Sequence, residues 1–162
     1  FSKFLQIAEE QKLPRVVSVQ NPYNLVNRSY EVGMSEISIR EKSGLLAYSP
    51  LAAGYLTGKY RNNQIPKNSR MDLFYENYPR YHNQRTYDAV DEYFKIAQKN
   101  KISLTQLSQA FVNSRDFVTS NIIGATTMEQ LKENIDSIDI SLNPKVIEEI
   151  NLIHENIPNP AP

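Results

Sequence analysis

Three short runs do most to limit what this 162-residue chain can fold into: Arg15-Val16-Val17-Ser18-Val19-Gln20, Leu45-Leu46-Ala47-Tyr48 and Phe117 to Ile123. Each is apolar and partly β-branched, each gives way to a polar or small residue, and each is followed by a turn and then by helical periodicity. A strand–turn–helix series of this kind predicts an α/β fold with a parallel sheet covered on its faces. Ligands of such sheets bind at the C-terminal ends of the strands. Gln20, Tyr48 and Gly124, where the runs cease to be apolar, are therefore expected on one face. The pattern fits part of a (β/α)8 barrel, whose phosphate site commonly follows the last two strands. A complete barrel takes about 250 residues, so this chain has room for roughly half.

The remaining elements follow from periodicity and punctuation. Phe1 to Gln11 is amphipathic, with Phe1, Leu5 and Ala8 on one face and no capping residue ahead of them. The first residue is not Met, so the chain is expected to begin inside a helix, as a piece of something larger. A second helix is expected over Ser29 to Glu41, stopped by Gly44. Gln84 to Asn100 turns Val90, Phe94 and Ala97 to one side, and Ser103 with Gln106 forms a capping box ahead of Leu107, Ala110 and Phe111. Asn143-Pro144 opens a last helix through Ile147 and Ile150. Residues 156–162 read as an extended tail. Residues 54–83 show no periodicity, and a connection of that length in a compact domain is usually functional or mobile.

Ile122 to Asn134 is the most informative stretch. It predicts a strand end, a turn with almost no side chain at Gly124 and Ala125, and a helix capped by Thr127 with Gln130 or by Thr126 with Glu129. The free N–H groups and the positive dipole end of that helix suit an anion, most simply a phosphate. Many such joints bind nothing, so the local pattern alone leaves both readings open.

Composition excludes several classes. With formal net charge +0 and 22% charged residues, the chain offers no electrostatic reason to bind nucleic acid or an anionic membrane. Cysteine is absent, which removes disulfides and thiolate metal sites. No metal-ligand spacing occurs. No run is long enough to span a membrane and no leader-like segment opens the sequence, so a cytoplasmic protein is expected. His82 and His154 read as solvated, without a partner motif.

Four segments together carry a family likeness: Ser18-Val19-Gln20-Asn21-Pro22-Tyr23-Asn24, Leu46-Ala47-Tyr48-Ser49-Pro50-Leu51, Leu56-Thr57-Gly58-Lys59-Tyr60, and Gly124-Ala125-Thr126-Thr127 through Glu133-Asn134. In their order and spacing the chain resembles the C-terminal half of an aldo-keto reductase, an NADPH-dependent (β/α)8 barrel, with particular likeness to the bacterial Tas-type reductases and the potassium-channel β subunits. The resemblance implies strands six to eight with their helices over residues 1–162, and a flap over the cofactor at 54–83. It implies that Gln20 hydrogen-bonds the nicotinamide amide, which needs a donor and an acceptor together, and that Tyr48 stacks on the nicotinamide ring. Ser49, Pro50 and Leu51 match the turn beneath the pyrophosphate. Lys59, Ser69 and Arg70 match the clamp on the pyrophosphate and 2′-phosphate, although a lone Lys and Arg in a polar loop are ordinarily just solvated. Gly124, Thr126 and Gln130 match the holder of the 2′-phosphate and adenosine, and Glu133 with Asn134 the pair that bonds the adenine. Where many members of the family carry Arg this chain has Gln130, which leaves discrimination of NADPH from NADH to Arg70.

The family's proton donor, a Tyr tuned by Lys and Asp beside a His, comes from segments that precede this chain's first strand. The resemblance therefore implies the cofactor-binding half of a reductase of aldehydes or ketones, with no catalytic residue in these 162 positions. Two other readings stand beside it: a non-catalytic NADP-binding or interaction module, and an inactive fragment of a split gene. A small-molecule carbonyl substrate is expected only where the N-terminal half is supplied. A half barrel would expose two strand edges, through which self-association is expected.

Overall fold

The first two strands, β1 (Ser18–Pro22) and β2 (Gly44–Tyr48), pair in parallel with Ser18 opposite Gly44 and Pro22 opposite Tyr48. In the computed structural model, which describes residues 1–162, the third strand β3 (Val118–Asn121) lies parallel on the far side of β2, giving the order β1-β2-β3. The helices are α1 (Ser2–Glu10), α2 (Met34–Glu41), α3 (Arg70–Phe74), α4 (Gln84–Lys99), α5 (Leu104–Asn113), α6 (Met128–Asp136) and α7 (Pro144–Asn156). The parallel strand–helix series expected from the sequence is present. It amounts to a three-stranded parallel sheet, open along both edges.

Side chains alternate across β2. Leu45 and Ala47 are wholly buried, whereas Tyr48 is exposed. The buried side packs on α5 and α2 and joins a core shared with α4 and α7 around Tyr23, Leu25, Leu56, Leu107, Phe111 and Ile150. Phe111 stacks on Tyr23 at 5.9 Å and Phe117 meets Tyr23 edge-on at 5.2 Å, arrangements that add about 0.5–1.5 kcal/mol each to the burial itself. The opposite side of the sheet is covered by nothing in this chain, so Gln20 and Ser120 are exposed.

Several expectations need correction. β1 runs two residues past Gln20, because Asn21 and Pro22 still pair with Ala47 and Tyr48. Pro22 is tolerated there because β1 is an edge strand. β3 is not walled in: it ends at Asn121, its outer edge has no neighbouring strand, and Thr119 and Ser120 are exposed. The helix expected over Ser29 to Glu41 is broken at Gly33, whose φ is +85°, into a 3-10 turn (Ser29–Glu31) and α2. Gly44 does not stop α2. Lys42 does, in the left-handed conformation at φ 51°. Gly44 opens β2, and a Cβ there would lie 1.7 Å from Thr119 Oγ1. The register slips by one residue at that level, between Leu45 and Leu46, so the missing side chain of Gly44 makes room for the extra residue Thr119.

Residues 54–83 are more ordered than the sequence suggests. They hold 3-10 turns at Ala52–Thr57, Arg61–Asn63, Tyr75–Asn77 and Pro79–Tyr81 as well as α3, and they bury Tyr55, Tyr60, Met71 and Tyr81. The tail is extended but docked. Ala161 N–H donates to Val26 O (3.1 Å), Asn159 Oδ1 accepts from Arg28 N–H (2.6 Å), and Pro160 O accepts from Thr86 Oγ1 (3.3 Å). It straps the segment Tyr23–Arg28, which is buried throughout. Within that segment the Arg28 guanidinium bonds both Glu31 carboxylate oxygens at 2.7 Å and Asn151 Oδ1 at 2.9 Å.

Candidate functional site

Strand register places the expected residues. Gln20 is opposite Leu46, which is opposite Ser120, and residues paired across parallel strands point to the same side. Tyr48, two positions beyond Leu46, points the same way. Gln20, Tyr48 and the outlet of β3 therefore share the open side of the sheet. The Ile122 N–H still donates to Ala47 O at 2.7 Å, so the Gly124 turn leaves the sheet beside the Ser49–Leu51 turn.

That second turn is strained. Ser49, Ala52 and Ala53 have φ of 55°, 48° and 55°, a conformation that costs on the order of 1–3 kcal/mol per non-glycine residue and persists only where the surroundings impose it. The wholly buried Asn24 imposes it by donating from Nδ2 to Ser49 O at 2.9 Å, while Ala52 N–H closes onto the same oxygen. Asn24 is a residue of the site that single-residue reading missed, because its partner lies 25 positions away.

Of the loop residues, Lys59 lies against this turn. A Cβ on Gly54 would come within 3.3 Å of Lys59 Nζ, so the ammonium sits against the strained turn, 5.1 Å from the Tyr60 ring. Arg70 lies 5.8 Å over Tyr78. Burial pushes the Tyr81 phenol up, and its ring stacks on Tyr55 at 5.3 Å. Neither Lys59 nor Arg70 has an ion-pair partner; the chain's other arginine and lysine pairs lie elsewhere. Ser69 caps α3, accepting from Asp72 N–H at 3.3 Å. Pro50 is buried and Leu51 packs on the core.

At the Gly124 turn the protein fills part of its own anion site. Thr127 caps α6 by accepting from Gln130 N–H at 3.3 Å. The returning arm does not reach Thr127: Gln130 Oε1 accepts from Thr126 N–H (3.0 Å) and Thr126 Oγ1 (3.1 Å). The exposed Glu129, which sequence reading placed only as a cap, sits at the same end. Its own backbone N–H, and then the Thr127 hydroxyl, hold its carboxyl below the usual carboxylate range. Glu133 accepts from Ser103 Oγ. Asn134, 5% exposed, accepts from Gln109 Nε2 (3.1 Å) and donates to Gly124 O (3.3 Å). Those bonds give Asn134 a structural reason to stand in a helix, one that the sequence alone did not suggest.

Other features lie outside this group. A cavity of about 160 Å³ behind the 3-10 turns is lined by Tyr55, Tyr60, Arg61 and Tyr87 and includes none of the expected residues. His82 and His154 are not solvated as expected: each buries one ring nitrogen without a partner, and burial pushes both imidazoles down. No group of three or more His, Cys, Asp or Glu side chains is assembled as a metal site. No helix is long and apolar enough to cross a membrane.

This fold and these segments define an oxidoreductase family. The chain belongs to the aldo/keto reductase family, whose sequence profile matches residues 2–155. It is 44% identical over 160 residues to the protein Tas of Escherichia coli K12, covering 99% of this chain and 46% of Tas. It is 34% identical over 159 residues to a probable voltage-gated potassium channel β subunit of rice, covering 94% of this chain and 48% of that one. The L-glyceraldehyde 3-phosphate reductase of E. coli K12 is 32% identical over 142 residues, covering 85% of this chain and 40% of the enzyme. A glycerol dehydrogenase from Gluconobacter oxydans superposes with a TM-score of 0.74 over 95% of this chain and 47% of its own, at 23% identity, a likeness of fold. The chain spans under half the length of these relatives.

Proposed function

We propose that this chain is the cofactor-binding part of an NADPH-dependent oxidoreductase that reduces aldehydes or ketones by hydride transfer, with the catalytic acid supplied by another part of the barrel. The observation that carries the reading is the shared open side of the sheet, which Gln20, Tyr48 and the outlet of β3 face, with Lys59, a cation without an ion-pair partner, against the turn that follows Tyr48. The residues fit a dinucleotide. Gln20 is exposed, with both amide atoms available, and Tyr48 keeps 37% of its surface. A Cβ on Gly124 would meet nothing within 4 Å, so the space above the turn is open.

When bound, the nicotinamide cofactor supplies the hydride. Gln20 would hold the carboxamide of its ring and Tyr48 would offer a flat face to it. The Ser49–Leu51 turn would hold the pyrophosphate, Lys59 and Arg70 would balance its charge, and Ser69 sets the start of the helix that bears Arg70. Thr126 and Gln130 would take the adenosine end, with Glu133 beside the adenine, whereas Asn134, buried and bonded at both ends of its amide, holds the turn from beneath instead of meeting the adenine. Tyr23, Tyr55 and Tyr93 are poor candidates for the proton donor: burial pushes each well above its ordinary value, the opposite of what a phenol that gives up its proton at neutral pH requires.

The test is a titration of the purified chain with NADPH, followed by thermal unfolding. At a hundredfold excess over its dissociation constant the cofactor should stabilise the chain by about 2.7 kcal/mol. Arg70→Ala should weaken NADPH more than NADH. Equal loss for both cofactors would show that Arg70 does not read the 2′-phosphate, and no stabilisation at all would sink the reading.

A further inference from the structure

Gln109 is wholly buried in α5 and touches no surface, yet its side chain joins three elements. Its Oε1 accepts from Asn121 Nδ2 in β3 at 2.7 Å, and its Nε2 donates to Asn134 Oδ1 in α6 at 3.1 Å. Asn121 Nδ2 also reaches Asn113 Oδ1 at 3.0 Å, and Asn134 Nδ2 ends the chain on Gly124 O at 3.3 Å. Four amide side chains thus run without interruption from α5 to the turn. An amide in a core this dry is costly unless both its ends are bonded. A Leu or Met could fill the volume of Gln109 without that demand, so packing alone gives no reason for an amide at this position.

The turn itself has little else to hold it. Gly124, Ala125, Thr126 and Thr127 are all exposed, and nothing packs over Gly124. Its other polar tethers are the exposed Gln130 side chain on Thr126 and, at its far end, the Thr127 hydroxyl and carbonyl on the first turn of α6. The fixed attachment comes from beneath, through Asn134.

We infer that Gln109 is a positioning residue for the cofactor turn: through Asn134 it fixes the Gly124 carbonyl, and so sets where the backbone N–H groups of residues 125–127 point. This rests on the cofactor reading above. A turn pinned in advance loses less freedom when it closes on an anion, and that preorganisation appears as affinity.

The test compares the unaltered chain with Gln109→Met, which keeps the volume and removes both bonds. Gln109→Asn, which keeps an amide but shortens its reach, serves should the first variant not fold. Ile150→Val, a wholly buried position in α7, serves as a destabilised control remote from the turn. NADPH affinity is measured by calorimetry under conditions where each variant is folded, and amide hydrogen exchange is followed at Thr126 without ligand.

The expected result is at least tenfold weaker NADPH binding and about tenfold faster Thr126 exchange in the Gln109 variants, with both unchanged in Ile150→Val. Binding that is equal in the Gln109 variants and the unaltered chain overturns the role of Gln109 while leaving the cofactor reading intact. Binding that falls equally in Ile150→Val reduces Gln109 to a stabilising residue. Failure of the unaltered chain to bind NADPH sinks the cofactor reading and the positioning role with it.

Discussion

Gly124 shows how a residue separates folding from binding. Its φ is not in the left-handed region and a Cβ would meet nothing within 4 Å, so nothing inside this chain requires glycine there. Gly124→Ala should therefore leave stability unchanged or raise it by about 0.4–1 kcal/mol through the unfolded chain. If a dinucleotide approaches this backbone, the same methyl group should weaken NADPH severalfold. Chemical unfolding and calorimetry on one preparation read both effects, and unchanged affinity would remove Gly124 from the site. Glu129 lies close by and carries the wrong charge for a phosphate. The residue-level consequence is that Glu129→Gln should tighten NADPH binding, most clearly at low salt where the repulsion is least screened.

At the scale of elements, caps and strapped segments hold the structure. Ser103 accepts from Gln106 N–H at 3.0 Å, and Gln106 Oε1 accepts in return from Ser103 N–H at 2.9 Å. Ser103→Ala should cost about 1 kcal/mol in urea unfolding, and should also free Glu133 from its contact with α5. The segment after β1 depends on Glu31. Burial pushes its carboxyl up, but the Arg28 guanidinium and the Tyr23 hydroxyl outweigh that and hold it below the usual range. A depressed carboxylate contributes stability that is complete above its unfolded value, about 4.3, and that is lost as pH falls below this value through the folded one. The acid limb of a stability–pH profile should flatten in Glu31→Gln, which will also be less stable at neutral pH because a buried Arg28 is left without its counter-charge.

The same elements show what the sequence could reveal. The caps at Ser103, Thr127 and Asn143 span three or four residues, and all three were legible. The network that occupies Asn134 was not, because Gln109 lies 25 positions away. Nor was the exposure of β3, since an apolar run carries no sign of whether a neighbouring strand is present.

As a whole molecule the chain is a sheet with one side packed and one side bare. Gln20 and Tyr48 look out from the bare side, and Phe4, Val17, Ile122 and Met128 add exposed apolar surface beyond the core. Two open edges and such a surface favour association over a solitary monomer. In sedimentation the average mass should rise with concentration above 18.6 kDa. The pure chain should also show no turnover of aldehydes with NADPH, and measurable reduction would mean that a proton donor had been overlooked within it. The junction of Gly44 with Thr119 extends beyond this molecule to the history of its sequence. The Oγ1 of one residue fills the place that a Cβ of the other would take, 1.7 Å apart. The two positions, 75 residues apart in the chain numbering from Gly44 to Thr119, therefore form one heritable unit. A lineage that gains a side chain at 44 must first lose the bulge or the hydroxyl at 119, so substitutions at these sites should appear in pairs and in that order.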